Sequence, residues 1–117
     1  MIRVGDDCDV DTIGSLLADE CARTILTETA TEPLSAEELS ERCEVSPPTV
    51  YRRLHKLEGY NLVNKQTHPD AERHHYNVYT ATLDRVVVKL TEDGLILRLA
   101  RRERMVDRFT QFIGDMR

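Results

Sequence analysis

A chain of 117 residues makes one domain with a real core and leaves little room for a second. No apolar run approaches the roughly 20 residues that cross a bilayer, and the opening "MIRVGDDCDVD" lacks a signal-peptide apolar region, so a cytoplasmic protein with no membrane partner is expected. The net charge of −5 is polarised, with 12 acids and 3 bases in residues 1–46 against 9 acids and 13 bases in residues 47–117, as expected when one surface must approach a polyanion.

Taken in chain order, Asp11 is placed to cap a first helix. Its apolar positions Ile13, Leu16, Leu17, Cys21, Ile25 and Leu26 recur at three- and four-residue steps as far as Ala30, with a possible break near Ala18. The stretch "TEPLSAEELSERCEV" opens as a loop. Ser35 with Glu38 three residues later then forms a capping box, and a short helix runs from Ala36 to about Cys43. After a three-residue turn Ser46 caps a third helix, 47–58. Pro47 stands at its first position, Val50, Leu54 and Leu57 form its buried face, and Gly59 can end it.

Beyond that helix, "NLVNKQT" and "HHYNVYTA" are two strands around "HPDAER", and "RVVVKL" and "LILRL" form a second hairpin around "TEDG". In the second hairpin Val86, Val88 and Leu90 share one face, as do Leu95, Leu97 and Leu99. The tail "ARRERMVDRFTQFIGDMR" has helical period, with Met105, Val106, Phe109, Phe112, Ile113 and Met116 in one apolar stripe. Leu99, Val106 and Ile113 fall seven apart, the spacing of a helix that packs on another helix. These seven residues form the expected interface of a homodimer built on residues 100–116, the alternative being a tail folded back on its own core. The expected class is therefore α+β. Residues 1–99 would be a winged helix-turn-helix with an extra β-hairpin, and 100–117 a C-terminal amphipathic dimerisation helix.

Helix, short turn, helix and hairpin is the order of a winged helix-turn-helix. The segment "LSAEELSERCEVSPPTVYRRLHKLEGYNLV" resembles the helix-turn-helix of ArsR-type and related archaeal regulators. "LADECARTIL", with Asp19, Arg23, Ile25 and Leu26, resembles their first helix, and the likeness covers about residues 13–81. It implies double-stranded DNA as partner, and Arg73 at the tip of the wing 67–75 as a minor-groove arginine flanked by His74 and His75. The resemblance departs in three places. "SPPTVYRRL" has none of the paired cysteines of the metal-sensing relatives, Cys43 stands where they carry an apolar core residue, and Glu44 replaces the turn glycine.

The residues support the same assignment on their own. A twelve-residue helix is about 18 Å long and fits a major groove roughly 12 Å wide. With Val50, Leu54 and Leu57 turned inward, Ser46, Pro47, Thr49, Tyr51, Arg52, Arg53 and Lys56 lie outward or at the helix start. Arg52 and Thr49 are expected at base edges, and Tyr51, Arg53 and Lys56 at phosphates. The expected protein is a homodimeric repressor; the rival is a winged-helix module that binds protein carboxylates in a larger assembly.

No nucleophile–base pair, phosphate loop or paired-carboxylate motif indicates an enzyme, and no cofactor is expected. His68, His74 and His75 have poor ligand spacing, so no metal is expected either. Cys8, Cys21 and Cys43 suggest neither a disulfide framework nor a zinc ribbon; Cys8, on an N-terminal arm, is the candidate reactive thiol. Thirteen of the 16 bases are Arg, and with the acid excess this suggests a halophilic archaeon whose DNA binding tolerates concentrated salt. The plainer origin is a mildly acidic bacterial or archaeal protein.

Overall fold

The computed structural model describes the chain over residues 3–69 and 75–102, and its side chains over residues 9–68 and 76–102. In chain order the elements are β1 (Arg3–Cys8), α1 (Val10–Ala18), α2 (Glu20–Thr31), β2 (Leu34–Ser35), α3 (Ala36–Cys43), α4 (Pro47–Gly59), β3 (Val63–Pro69), β4 (His75–Ala81), β5 (Leu83–Thr91) and β6 (Gly94–Arg101). The fold is α+β, with helices against two antiparallel three-stranded sheets ordered β1-β6-β5 and β2-β4-β3. Residues 103–117, and with them Met105, Val106, Phe109, Phe112, Ile113 and Met116, lie outside the described residues, as do Arg73 and His74.

The helical stretch expected over 11–30, with a possible break near Ala18, is two helices, Val10–Ala18 and Glu20–Thr31, because Asp19 interrupts it. Asp19 is extended (φ −83°, ψ 121°), ends α1 and caps α2, its carboxylate accepting from the Ala22 N–H at 2.8 Å. An aspartate offers the backbone N–H groups a partner that continued helix would not use. The cap of α1 is Asp9 rather than Asp11: the Asp9 carboxylate accepts from the Asp11 N–H at 3.1 Å and from the Thr12 hydroxyl at 2.7 Å. Arg3–Cys8, expected as a loose arm bearing Cys8, is a strand that pairs with β6 from Arg3↔Arg101 to Cys8↔Leu97. The stretch before α3, expected as loop, holds β2, whose two residues pair with Tyr79 and Val78 of β4. Two residues carry too little pattern to show as a strand.

The capping box of α3 is present: Ser35 Oγ accepts from the Glu38 N–H at 3.2 Å, and Glu38 Oε1 accepts from the Ser35 N–H at 3.0 Å. Glu44, where the related motif has glycine, occupies the left-handed region (φ 56°). Two bonds close the helix end around it, Val45 N–H to the Ser40 carbonyl at 3.2 Å and Glu44 N–H to the Glu41 carbonyl at 3.3 Å. The same closure ends α4, but at Asn61 (φ 57°) rather than at Gly59, which lies inside the last turn. There Leu62 N–H reaches the Leu57 carbonyl at 2.8 Å and Asn61 N–H the Glu58 carbonyl at 2.9 Å. Leu57 and Leu62, both fully buried, supply the apolar contact that accompanies this turn.

One core joins all the helices. Ile13 and Leu16 of α1, Ile25 of α2, Leu39 of α3, and Val50, Leu54 and Leu57 of α4 are buried in a cluster that also takes in Leu97 and Leu99 of β6. Leu99 is thus a core residue of β6 with no exposed surface, not a member of an outward stripe, and β6 continues through residue 100 to Arg101.

Candidate nucleic-acid interface

Helix α4 shows why its outer face is polar. Val50, Leu54 and Leu57, at steps of four and three, point into the core, so the intervening positions must face out. Ser46, Pro47, Tyr51, Arg52, His55 and Lys56 are exposed, and Thr49 and Arg53 are half-buried at the flanks. Ser46 is the N-cap by position, yet its side chain makes no capping hydrogen bond. Pro47 and Pro48 lack N–H groups, and the Thr49 N–H bonds the Ser46 carbonyl at 3.1 Å, so little remains for the hydroxyl to cap. Ser46 Oγ lies instead 3.1 Å from Thr49 Oγ1, which also accepts from Arg52 Nη2 at 3.2 Å. Ser46, Thr49 and Arg52 therefore form one hydrogen-bonded row along the exposed start of the helix.

The three cations of this turn are not equivalent. Arg53, expected at phosphate, is instead engaged within the protein: its Nε and Nη2 donate to Asp19 Oδ2 and Oδ1 at 2.9 and 3.2 Å. The Asp19 carboxylate serves α2 and α4 together, and the Arg53 guanidinium holds its pKa below the ordinary carboxylate range. Among the described residues no carboxylate pairs with Arg52 or Lys56. Those two charges are left to solvent or to a ligand.

Asp19→Ala removes a cap and a forked ion pair together, and the expected loss is about 1–2 kcal/mol of stability. Because the folded pKa of Asp19 is depressed, its contribution is complete above its unfolded-state pKa and disappears as pH falls through the folded value. Urea titrations of both proteins at neutral pH and near pH 3 should show the difference shrinking in acid. An unchanged difference would remove the ion pair from the account.

The hairpin after α4 runs in unbroken register from Val63↔Ala81 to Pro69↔His75. The backbone of His75 opens β4 opposite Pro69. Lower on the hairpin, His68 and Tyr76 face each other with ring centroids 5.8 Å apart, and Thr67 Oγ1 donates to Asn77 Oδ1 at 2.8 Å. Cross-strand partners of this kind hold the hairpin's exposed face in shape.

Three further residues lie on or beside this face, of which the sequence singled out only His68, as a poorly spaced metal ligand. His55 lies three positions after Arg52 and four after Tyr51, and helical spacing alone would have placed it on their face. His68 and Tyr76 needed the strand register. Asp19, by contrast, is 34 positions from Arg53, and no local pattern joins them. Away from this face, the Cys43 thiol lies against the core and donates to the Cys21 carbonyl at 3.8 Å; burial, with the adjacent Cys21, pushes its pKa up to about 12.

Residues 17–66 match the family model of a helix-turn-helix domain, a span that runs from the end of α1 through α2, α3 and α4 into β3. No curated protein matches the chain. Among the described residues no helix is long and apolar enough to cross a membrane.

Proposed function

From this helix-turn-helix we propose a cytoplasmic transcriptional regulator of the ArsR-like winged type that binds double-stranded DNA in a sequence-specific manner, a homodimer acting as a repressor. The observation that carries the proposal is the outward side of α4, where Arg52 and Lys56 have no carboxylate partner among the described residues while the opposite side is fully buried. A helix anchored in that way can enter a major groove without rearranging the domain.

In this proposal Arg52 and Thr49 read base edges and Ser46 supports them. Tyr51, His55, Lys56 and the start of the helix at Pro47 meet the backbone, and the hairpin, with Arg73, His74 and His75, reaches the adjoining minor groove or phosphates. Arg53 acts within the protein instead, its bond to Asp19 fixing the angle at which α4 leaves the body. No catalytic role is proposed for any residue. The charge distribution supports an origin in concentrated salt, where cations taken up between acidic surface and phosphates keep binding from weakening.

A mobility-shift assay on the DNA upstream of the protein's own gene tests this. A shifted complex abolished by Arg52→Ala supports the proposal. Absence of a shift on any promoter fragment, together with stable recovery of a protein partner, would favour an interaction module instead. The cations can also be told apart by salt titration at ordinary ionic strength. Lys56→Ala should lower the slope of log affinity against log salt by about 1, whereas Arg53→Ala should leave the slope nearly unchanged because Asp19 already neutralises that charge.

A further inference from the structure

Two arginines that follow each other in the chain, at the end of β6, are bonded to the C-terminal ends of two different helices. Arg101 donates from Nη2 to the Tyr60 carbonyl at 2.7 Å and from Nε to the Asn61 carbonyl at 3.1 Å, a fork across the first two residues after α4. Arg102 donates from Nη1 to the Ala30 carbonyl, in the last turn of α2, at 3.2 Å. The last carbonyls of a helix lack partners within it and carry the negative end of its dipole, so a guanidinium is well suited to meet them.

The turn that Arg101 grips is where three parts of the fold meet. Residues 60–62 carry the chain from α4 into β3, the first strand of the β3–β4 hairpin. Thr82, the one residue between β4 and β5, donates its hydroxyl to the same Asn61 carbonyl at 2.6 Å and its N–H to the Leu62 carbonyl at 2.8 Å. Arg101 pairs with Arg3 of β1 and Leu83 of β5, so its backbone belongs to the middle strand of the other sheet. Helix α4, the β3–β4 hairpin and the β1-β6-β5 sheet are thus tied together at Tyr60, Asn61 and Leu62.

We infer that Arg101 is a positioning residue for DNA reading: by holding the end of α4 it sets the angle between that helix and the β3–β4 hairpin, without touching DNA itself. Val50, Leu54 and Leu57 determine which side of α4 faces inward, but apolar contacts have no preferred direction and resist a small swing weakly. A forked, charge-assisted pair of hydrogen bonds does have direction. A helix of 13 residues is about 20 Å long, so a swing of roughly 10° about the turn moves Thr49 and its neighbours by about 3 Å, a full hydrogen-bond length. Arg53, bonded to Asp19, holds the same helix near its middle, and the two arginines together fix its direction. The inference rests on the regulator proposed above and adds to it the residue through which the β1-β6-β5 sheet reaches the DNA face.

The probe is the upstream fragment that the parent shifts. Arg101→Ala in the full chain should weaken that complex at least about fivefold, the lower end of what one base contact supplies, while affinity for unrelated duplex stays close to the parent's. The slope of log affinity against log salt should not change; a slope lowered by about 1 would make Arg101 a phosphate contact and overturns the inference. A domain that has only lost some stability is still almost wholly folded at room temperature and keeps its affinity, so loss of affinity separates positioning from mere stabilisation. If Arg101→Ala loses the parent's far-UV circular dichroism, Arg101→Lys carries the test, because an ammonium keeps the charge without the planar fork and should still lose specific affinity. The hold on α4 is also read without DNA. Exchange of the Leu62 amide, which closes α4 on the Leu57 carbonyl, should speed up in the variant relative to that of the Leu54 amide, and unchanged relative protection overturns the inference. A parent that shifts no promoter fragment overturns the regulator itself, and the inference with it. A parent that binds, beside a folded Arg101 variant that binds equally well, overturns the inference alone.

Discussion

Leu54→Ala is expected to cost about 2–5 kcal/mol, the range for removing a buried leucine and leaving a cavity where neighbours cannot fully collapse. Leu54 is 1% exposed and lies midway between Val50 and Leu57 on the inner side of α4, so the cavity would open where α4 meets the rest of the core. A domain of this size holds on the order of 5–15 kcal/mol in all, so the variant should lose a large share of its stability. Its urea midpoint should fall with little change in slope, and its DNA affinity should fall with it, since the outer face of α4 is only as well placed as the inner face is packed. A loss below about 1 kcal/mol would mean that α4 is held by something other than this contact.

Arg52→Ala is expected to weaken the specific complex by about 1–3 kcal/mol, roughly fivefold to 150-fold, with the loss concentrated at one base pair. The guanidinium already donates to Thr49 Oγ1, so one torsional choice has been made before DNA arrives, and less ordering remains to be done on binding. Competition against operators substituted one position at a time distinguishes two roles. A base contact predicts that the variant becomes indifferent to one position. A phosphate contact predicts a uniform loss across all sequences, and that result would move Arg52 out of the reading role.

These expectations differ in how far they could be drawn from sequence. The period of Val50, Leu54 and Leu57 sufficed to orient α4, and Ser35 with Glu38 sufficed to start α3, because both are relations between residues three or four apart. The facing of Val86, Val88 and Leu90 with Leu95, Leu97 and Leu99 was equally legible, since a short turn at "TEDG" leaves little freedom of register. Ends of elements were less so. Gly59 was the natural stop for α4, yet Asn61 takes the left-handed turn, because burying Leu62 against Leu57 determines which residue must bend.

The amino-acid sequence by itself determined the helices' inward and outward sides, the order of helix, turn, helix and hairpin, and the cationic turn on α4, all of them consequences of local periodicity and capping chemistry. Only the tertiary structure decided that Arg53 belongs to Asp19, that Arg3–Cys8 is a strand, and that Leu99 is interior while Leu90 and Leu95 are not. Each of those outcomes depends on residues far apart in the chain meeting in space, through an ion pair, a ladder or a shared core. Such meetings are selected by packing of the whole domain and leave no mark at short range.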